Sequence, residues 1–387
     1  FDGIGGARGA IEILGLTPAL YIGIHHDDAC HLVIEGAWPE AVLLNNVNEI
    51  TEAVLADLLR EVADLDTGLI AAGPPCQPFS NLNNDKKGFD DPRSGGIAMY
   101  VRIVTMLNKV APQIEWNSMM ENVASMSDEH RATITERVSD IHGHRLPYWF
   151  DAAQIGHVNR PRLYWTSWDL VEKDLEYRYP AGYRSTATKT ADPKRRQPTS
   201  SSECYAFCPC PTGVCGDAAE SGGHLHRCSE CMEVFKHPAD AVTDLQQYIK
   251  VLNPSRDRLP IDRFLDPGVS KCGTKPFPTA VRWLESSAPG RTPRGIEDCD
   301  TETLMKWEAA RYAMAPYNFT KENGVVTSDG TERPPNAAER ERLHGFSPGH
   351  TAVHPESRRI SLIGNSFHCV AVAHVLASWA LQMDYLR

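Results

Sequence analysis

Short apolar runs alternate with amphipathic stretches over residues 1–170, and this alternation restricts the fold more than any other feature. The predicted strands are Ala19–Ile24, Gly68–Ala72, Met119–Met120 and Leu163–Trp165. The predicted helices are Glu52–Ala63 and Met99–Val110, where apolar side chains recur at helical spacing. Strands that alternate with helices indicate an α/β fold with a mainly parallel sheet.

The character of the chain changes at about residue 171. Residues 180–240 are rich in Pro, Ser, Thr, Gly, Cys and His, so they bury little surface unaided. This composition predicts a second module, an insertion or a partly disordered segment. Thr301–Ala313 has a short helical pattern. The α/β texture returns with predicted helices at Asn336–Leu343 and Val370–Gln382.

Bulk composition limits the class of protein. Hydrophobic residues make up 42% of the 387 residues, enough for a proper core. No apolar run reaches the roughly 18 residues that span a bilayer, so we expect a soluble intracellular protein without a membrane partner. The net charge of −11 disfavours bulk attraction to nucleic acid. A local basic patch at Lys189, Lys194, Arg195 and Arg196 would still serve, unless it is a solvated loop.

Six of the eleven cysteines lie between residues 204 and 231. A secreted disulfide framework would spread them more evenly along a smaller chain. Cys228 and Cys231 have the spacing of a zinc half-site, whereas the upstream half is irregular. The predicted ligands of a structural zinc are Cys208, Cys210, Cys215, Cys228 and Cys231; His224 and His226 could also contribute, and Cys204 competes for a place. The alternative is a set of reduced thiols in a loop.

The chain opens with a glycine-rich turn that enters a helix, Phe1-Asp2-Gly3-Ile4-Gly5-Gly6. Glycines let backbone N–H groups approach a ligand, although such turns are also common as purely structural features. A turn of this type normally follows a strand, and none precedes it here. We therefore expect a fragment cut just inside its first motif, with upstream domains of the same polypeptide.

Gly73-Pro74-Pro75-Cys76-Gln77-Pro78-Phe79-Ser80 follows the buried strand Gly68–Ala72. Ligands of open α/β sheets bind at the carboxyl edge of the strands. The two prolines stiffen the bend that would present the Cys76 thiol at this edge, as a nucleophile requires. A buried cysteine in a tight turn is the structural alternative, but the specificity of the string favours a nucleophile.

Three further motifs carry polar groups near predicted element ends. Glu121 follows the strand Met119–Met120, as a helix-cap partner or as a catalytic carboxylate. Arg160 and Arg162 are two apart in an extended stretch, so both would point to one face and suit a phosphate or a carboxylate. Asn365 and Ser366 precede the closing helix. They would either cap this helix or hold a ligand.

Together these motifs resemble the cytosine-C5 methyltransferase family over about 1–166 and 333–387. Ala338–Phe346 is similar to the helix that braces the family's recognition domain. The resemblance implies a Rossmann-like class I methyltransferase fold with a smaller cysteine-rich target-recognition module. It places a catalytic and cofactor-binding domain at 1–166, the target-recognition region at 167–332 and a return to the catalytic domain at 333–387.

The resemblance also implies a chemistry and its residues. Cys76 would add to C6 of a flipped-out cytosine, Glu121 would contact N3 and the amine, and C5 would take a methyl group from S-adenosylmethionine. Arg160 and Arg162 would bind the target and help lower the thiol pKa. The implied cofactor contacts are Phe1, Asp2, Gly3, Ile4, Gly6, His25, His26, Asn46, Val47, Pro75, Asn365 and Ser366.

Three positions depart from the family pattern. His25 stands where an acidic residue usually holds the ribose hydroxyls, unless Asp27 or Asp28 serves instead. Asn46 replaces an aspartate near the adenine. Val158 replaces a glutamine before the arginines, as in the eukaryotic de novo branch, and only this likeness predicts a nuclear location.

Double-stranded DNA is the predicted partner, and two rival functions stand beside it. The tRNA-acting branch of the family shares the Pro-Pro-Cys-Gln and Glu-Asn-Val elements, but its Cys-Phe-Thr tripeptide does not occur in this sequence. A non-catalytic regulatory homologue would tolerate loss of the nucleophile, yet Cys76, Glu121, Arg160 and Arg162 are all present. An unrelated zinc-containing binding protein would leave the coincidence of the motifs unexplained.

Overall fold

The computed structural model describes residues 1, 3–62, 64–80, 88–171, 225–227, 234–236, 250–251, 258–279, 296–297, 299–312 and 314–386, and residues 61, 225–227, 234–236 and 250–251 as backbone only. The helices are α1 Gly6–Ile13, α2 Asp28–Ala37, α3 Glu52–Leu59, α4 Gly96–Val110, α5 Asp128–Arg137, α6 Ser139–His142, α7 Thr301–Ala309, α8 Ala337–His344, α9 Glu356–Asn365 and α10 Cys369–Gln382. The strands are β1 Ile22–Ile24, β2 Val42–Leu44, β3 Thr67–Ala72, β4 Glu115–Val123, β5 Tyr148–Asp151, β6 Val158–Asn159, β7 Pro161–Thr166, β8 Leu225–Arg227, β9 Val234–Lys236, β10 Lys250–Val251, β11 Ser270–Lys271, β12 Phe277–Pro278, β13 Val325–Val326 and β14 Glu332–Arg333.

The largest sheet has the strand order β10-β5-β7-β4-β3 and is mixed. β3 and β4 pair in parallel, as do β1 and β2 in their own sheet, whereas β7 runs antiparallel to both β4 and β5. The expectation of a mainly parallel sheet is therefore right for the first four strands and wrong for β7. The connection from β5 to β7 is too short for the crossover of a dozen or more residues that a parallel pair needs.

The predicted elements are confirmed with shifted ends. α3 stops at Leu59 and continues only as a 3₁₀ turn, and α7 stops at Ala309, where Arg311 and Tyr312 take positive φ. β4 is much longer than the predicted Met119–Met120, because most of its length is buried by elements on both faces. Such a strand lacks the period-2 alternation by which sequence patterns are usually recognised.

The central core joins the two ends of the chain. α10 is buried along almost its whole length and packs against α1. The Trp168 indole donates to the carbonyl of Val375, and the amide of Val171 donates to the Ser378 hydroxyl. The motifs predicted that the last residues rejoin the first domain. The apolar face of α10 makes this contact by packing against α1.

Within the described residues, one helical stretch, Glu356–Gln382, has the length and apolar composition of a membrane span, and 83% of its most apolar window is buried inside the protein. It is interrupted between α9 and α10. This burial is that of a core element.

Residues 258–279 form a segment that α8 holds in place. The Asp266 carboxylate accepts from Arg342 and from the Asn336 side chain, and its backbone amide donates to Glu339. Glu339 also completes a capping box with Asn336 at the start of α8. The fully buried Glu339 is neutralised by Arg333, so the segment and the helix form one braced unit.

Candidate active site

Cys76 lies in the turn that follows β3, at the carboxyl edge of the sheet. Its carbonyl accepts from the amides of Phe79 and Ser80, which closes the turn. The side chain of Asn122, fully buried at the end of β4, donates to the carbonyl of Pro74 over 3.3 Å. The bend that carries the half-buried thiol is therefore fixed from both the turn and the neighbouring strand. Asn122 lies in the Glu-Asn-Val motif, but sequence reasoning gave it no role.

Glu121 and Arg162 form an ion pair beside this turn, with 2.6 Å between Oε1 and Nε and both side chains largely buried. Glu121 lies inside β4 and Arg162 inside β7, in antiparallel strands. The alternative that Glu121 caps a helix is therefore wrong, because the strand continues to Val123. A carboxylate held by a guanidinium in a rigid sheet is oriented for contact with a ligand.

Arg160 takes different partners from Arg162. Its guanidinium donates to the carbonyls of Gly364 (2.9 Å) and Ser366 (2.5 Å), and the side chain is buried. Burial lowers its pKa to about 10, so it stays charged at neutral pH. Arg160 thus joins the start of β7 to the C-terminal segment. We call this pair of hydrogen bonds to Gly364 and Ser366 the Arg160 clamp.

Arg160 and Arg162 both lower the pKa of the Cys76 thiol, as expected, but burial outweighs them. Burial raises the pKa of Cys76 above its ordinary value, and the Glu121 charge raises it further, while Arg162 and Arg160 lower it. The arginines offset part of the shift without reversing it. Cys76 is therefore a protonated thiol at neutral pH in the free protein.

The glycine-rich turn converges on the same edge. Gly3 and Gly5 have φ of 65° and 77°, a region that favours glycine, and a Cβ on Gly3 would meet no atom within 4 Å. The Phe1 ring and Pro75 both lie against Gly96. Phe367 lies against Gly6 through its Cβ and backbone and against Gly73 through its ring. Phe367, which sequence reasoning missed, directly follows Asn365 and Ser366. It thus contacts both the glycine-rich turn and the start of the turn that carries Cys76.

The histidines after β1 occupy the predicted ribose position. The Asp27 amide donates to Nδ1 of His25 over 3.0 Å, and burial lowers the His25 pKa to about 4. The neutral ring consequently carries its proton on Nε2 and stacks on His26. Asp27 is already engaged by the Ala29 amide and by Arg358, so its carboxylate is the N-cap of α2.

The other predicted cofactor residues divide into available and engaged groups. The Asn46 amide accepts from Asn48 and donates to Glu49 within its own turn. The Ile4 side chain is buried, although its backbone lies in the turn. Ser366 is buried with its hydroxyl against the Ile363 carbonyl, whereas Asn365 is exposed.

The expectation that Asn365 and Ser366 would cap the closing helix is wrong. Asn365 ends α9, and His368 caps α10 by accepting from the Ala371 amide. Asp2 and the five cysteines predicted to bind zinc lie outside the described residues, so zinc stays a prediction. In the part of the chain that the structure describes, no group of three or more His, Cys, Asp or Glu side chains is placed to hold a metal ion.

The arrangement fits S-adenosylmethionine. Among the described residues, no atom fills the space in front of Gly3. Phe1 and Pro75 supply apolar contact surface. His25 offers an N–H that a ribose hydroxyl can accept. Gly3, Phe1, His25, Pro75 and Asn365 are the residues that would hold it. A Cβ on Gly73, at the start of the turn that carries Cys76, would lie 3.7 Å from Oε2 of Glu121, so this turn and the Glu121–Arg162 pair are neighbours.

The first part of the chain is similar to known cytosine-C5 methyltransferases. Residues 1–175 match the profile of the family described as C-5 cytosine-specific DNA methylase. Type II methyltransferase M.AquIA of Picosynechococcus sp. is 27% identical over 139 residues, 36% of this chain and 52% of that protein, so the match spans about half its length. The profile and this relative are thus those of the C-5 cytosine-specific methyltransferases that the motifs resemble.

One solved structure supports the fold. The methyltransferase EhMeth of Entamoeba histolytica is similar with a TM-score of 0.50 and 13% identity, over 98% of this chain and 96% of that one. A DNMT2 mutant of Spodoptera frugiperda has a TM-score of 0.46 and 16% identity, over 97% and 96%. With its parallel strands and the antiparallel β7, the sheet fits a class I methyltransferase fold.

Proposed function

We propose that this protein is a DNA cytosine-C5 methyltransferase that uses S-adenosylmethionine and the Cys76 thiol. The observation that carries the proposal is the meeting of three elements at one sheet edge: the rigid turn of Cys76, the Glu121–Arg162 pair and the glycine-rich turn. The match of residues 1–175 to the C-5 cytosine-specific DNA methylase profile supports the same reaction.

Cys76 and Glu121 divide the work on the pyrimidine. Carbon 5 of cytosine is a poor nucleophile, and addition of the Cys76 sulfur to C6 makes it a good one. The Glu121 carboxyl group, oriented by Arg162, contacts N3 and the exocyclic amine and stabilises the charge that this addition creates. S-adenosylmethionine supplies an electrophilic methyl group. Loss of the C5 proton and cleavage of the C6–sulfur bond then regenerate the aromatic ring and Cys76.

The raised pKa of the free thiol requires that substrate binding activates it. As the sulfur adds to C6, negative charge flows to N3, so the proton that the thiol loses can pass through the Glu121 carboxylate to N3 and return by the same route when the C6–sulfur bond breaks. The C5 proton leaves to water. The target base must also leave the stack of a duplex, because C6 is inaccessible inside it.

DNA is the proposed substrate class for two reasons. The family that matches residues 1–175 is described as DNA methylase, and the Cys-Phe-Thr tripeptide of the tRNA-acting branch does not occur in the sequence. A cytosine-containing duplex is therefore the substrate with which to begin.

The test is methyl transfer from labelled cofactor to duplex DNA and, in parallel, to tRNA. We expect label in DNA only, and bisulfite sequencing then gives the positions of the modified cytosines. A DNA probe with fluorine at C5 of cytosine cannot lose that substituent as a proton, so we expect a covalent adduct at the peptide that contains Cys76. Transfer to tRNA alone would overturn the DNA assignment, and transfer without an adduct would overturn the role of Cys76.

A further inference from the structure

A pocket of about 400 Å³ lies between residues 258–276 and His157, outside the site described above. Its walls combine apolar side chains such as Ile261 and Leu265 with the cationic groups of Arg258, Lys271 and Lys275. Small-ligand pockets have volumes of roughly 300–1,000 Å³ and combine apolar surface with a few polar groups. A nucleotide has this mixed character, because it joins an apolar base face to an anionic phosphate.

The pocket lies on the side of the sheet where the substrate must approach. β7 is antiparallel to β4, and Arg162 pairs with Val123 at the carboxyl end of β4. The chain that leads from His157 into β7 therefore extends beyond the sheet edge at which Cys76 lies. We call this edge the active edge. Arg160 is three residue steps along the chain from His157, which is about 10 Å at ~3.3 Å per extended residue. This length equals roughly three stacked nucleotides at ~3.4 Å each.

The charge of the pocket is positive, in contrast to the net charge of −11 for the whole chain. Arg258 and Lys275 are exposed and form no ion pair with another residue that the structure describes. Lys271 is engaged with the carbonyls of Gly273 and Glu322, but its charge still adds to the field. Asp262 is the single carboxylate among the lining residues, against three basic side chains.

The pocket is tied firmly to the catalytic strand. His157 donates to the carbonyl of Leu259 over 2.7 Å, and the Phe277 amide donates to the carbonyl of His157. The Glu322 carboxylate accepts from the amides of Thr274 and Lys275 and so fixes the turn that carries Lys275. A ligand bound here would be held at a constant offset from Arg160 and Cys76.

From this geometry we infer that the pocket binds one nucleotide of the substrate strand close to the reacting cytosine, with its phosphate between Arg258 and Lys275 and its base against the apolar wall. The inference rests on the proposed function and adds a second point of attachment on the nucleic acid. The site would fix the register of the strand, because it lies at a set distance from the thiol.

The test removes each free charge while keeping side-chain polarity. Arg258→Gln and Lys275→Gln are compared with wild type and with Lys109→Gln, an exposed lysine of α4 that is paired with Glu52 away from the pocket. Fluorescence anisotropy with a cytosine-containing DNA duplex, and with RNA of the same sequence, gives the Kd at several salt concentrations. Calorimetry gives the affinity for S-adenosylmethionine in each variant.

Each pocket variant should weaken nucleic-acid binding about tenfold and reduce the slope of log affinity against log salt by about one. Lys109→Gln should leave both unchanged, and cofactor affinity should be the same in all four proteins. Pocket variants that bind with the wild-type Kd and slope, or a wild type that binds neither nucleic acid, would overturn the inference. Absence of methyl transfer by a wild type whose binding still depends on Arg258 and Lys275 would overturn the proposed function alone.

Discussion

The active edge of the sheet and the pocket of residues 258–276 handle charge in opposite ways. At the active edge the guanidiniums are buried and committed, Arg162 to Glu121 and Arg160 to two backbone carbonyls. In the pocket, Arg258 and Lys275 are exposed and form no ion pair with any residue that the structure describes. Bond making needs groups whose positions do not vary, whereas attachment to a polyanion needs charges that remain available. Under the proposed function, the contrast distinguishes residues that would act on the cytosine from residues that would hold the substrate strand.

The strongest test of this contrast is the nucleophile itself. Cys76→Ser should abolish methyl transfer, because a hydroxyl is a far weaker nucleophile than a thiol, while cofactor binding and nucleic-acid binding persist. Filter assays with labelled cofactor and calorimetry measure the two properties separately. Cys272→Ser, which changes another half-buried free thiol, is the matched control and should retain activity. Turnover by the Cys76 variant would contradict the assigned role.

The buried clamp of Arg160 should dominate stability. Arg160→Met leaves the carbonyls of Gly364 and Ser366 without their donor, and each such loss costs about 1–3 kcal/mol. We expect the free energy of unfolding in urea to fall by roughly 2–5 kcal/mol. Arg60→Met, which removes an exposed pair with Asp57, should cost less than about 0.5 kcal/mol. Equal losses in the two variants would mean that Arg160 is not a clamp.

The brace of the pocket segment should have an intermediate effect. Asn336→Ala removes the N-cap of α8 and the bond to Asp266, so we expect a loss of about 1–2 kcal/mol in urea unfolding. Thr51→Ala removes only the N-cap of α3 and should cost about 1 kcal/mol or less. A larger loss at Thr51 would show that the contact with Asp266 adds nothing.

The smallest expected effect concerns the thiol. The thiolate is the reactive form, and the Glu121 charge disfavours it by raising the pKa of Cys76. Glu121→Gln should lower that pKa, so the pH at which Cys76 reacts with iodoacetamide should fall and alkylation at neutral pH should be faster. Peptide mass spectrometry follows Cys76 alone, and Glu52→Gln, an exposed surface change, serves as control. Unchanged or slower alkylation would contradict this account of the pKa.

The sequence predicted the order of the elements and the convergence of the motifs, because local apolar patterns and glycine and proline turns are readable residue by residue. It did not predict the partners of the two arginines. Their spacing predicted a shared face, but Arg160 is captured by carbonyls more than two hundred positions away, and no local pattern encodes such a contact. The antiparallel β7 was missed for a similar reason, since pairing direction depends on the length of a connection that lacks a strong strand signal.

His25 illustrates a second limit. Its position after β1 was predictable from the sequence, but the proton on Nε2 follows only from the bond that Nδ1 accepts from the Asp27 amide. The pocket beside His157 was also beyond the sequence, because its cations come from a segment whose texture predicts no regular element. Tertiary contacts, rather than composition, give these residues their chemistry.

The packing contact between the first and last segments of the chain has a practical consequence. Since α1 and α10 pack together, and Trp168 and Val171 are bonded to α10, association of the two halves does not depend on the peptide backbone between them. Two polypeptides covering residues 1–171 and 172–387, produced in the same cell, should therefore reassemble and copurify. Methyl transfer could then be switched on by bringing the separate pieces together.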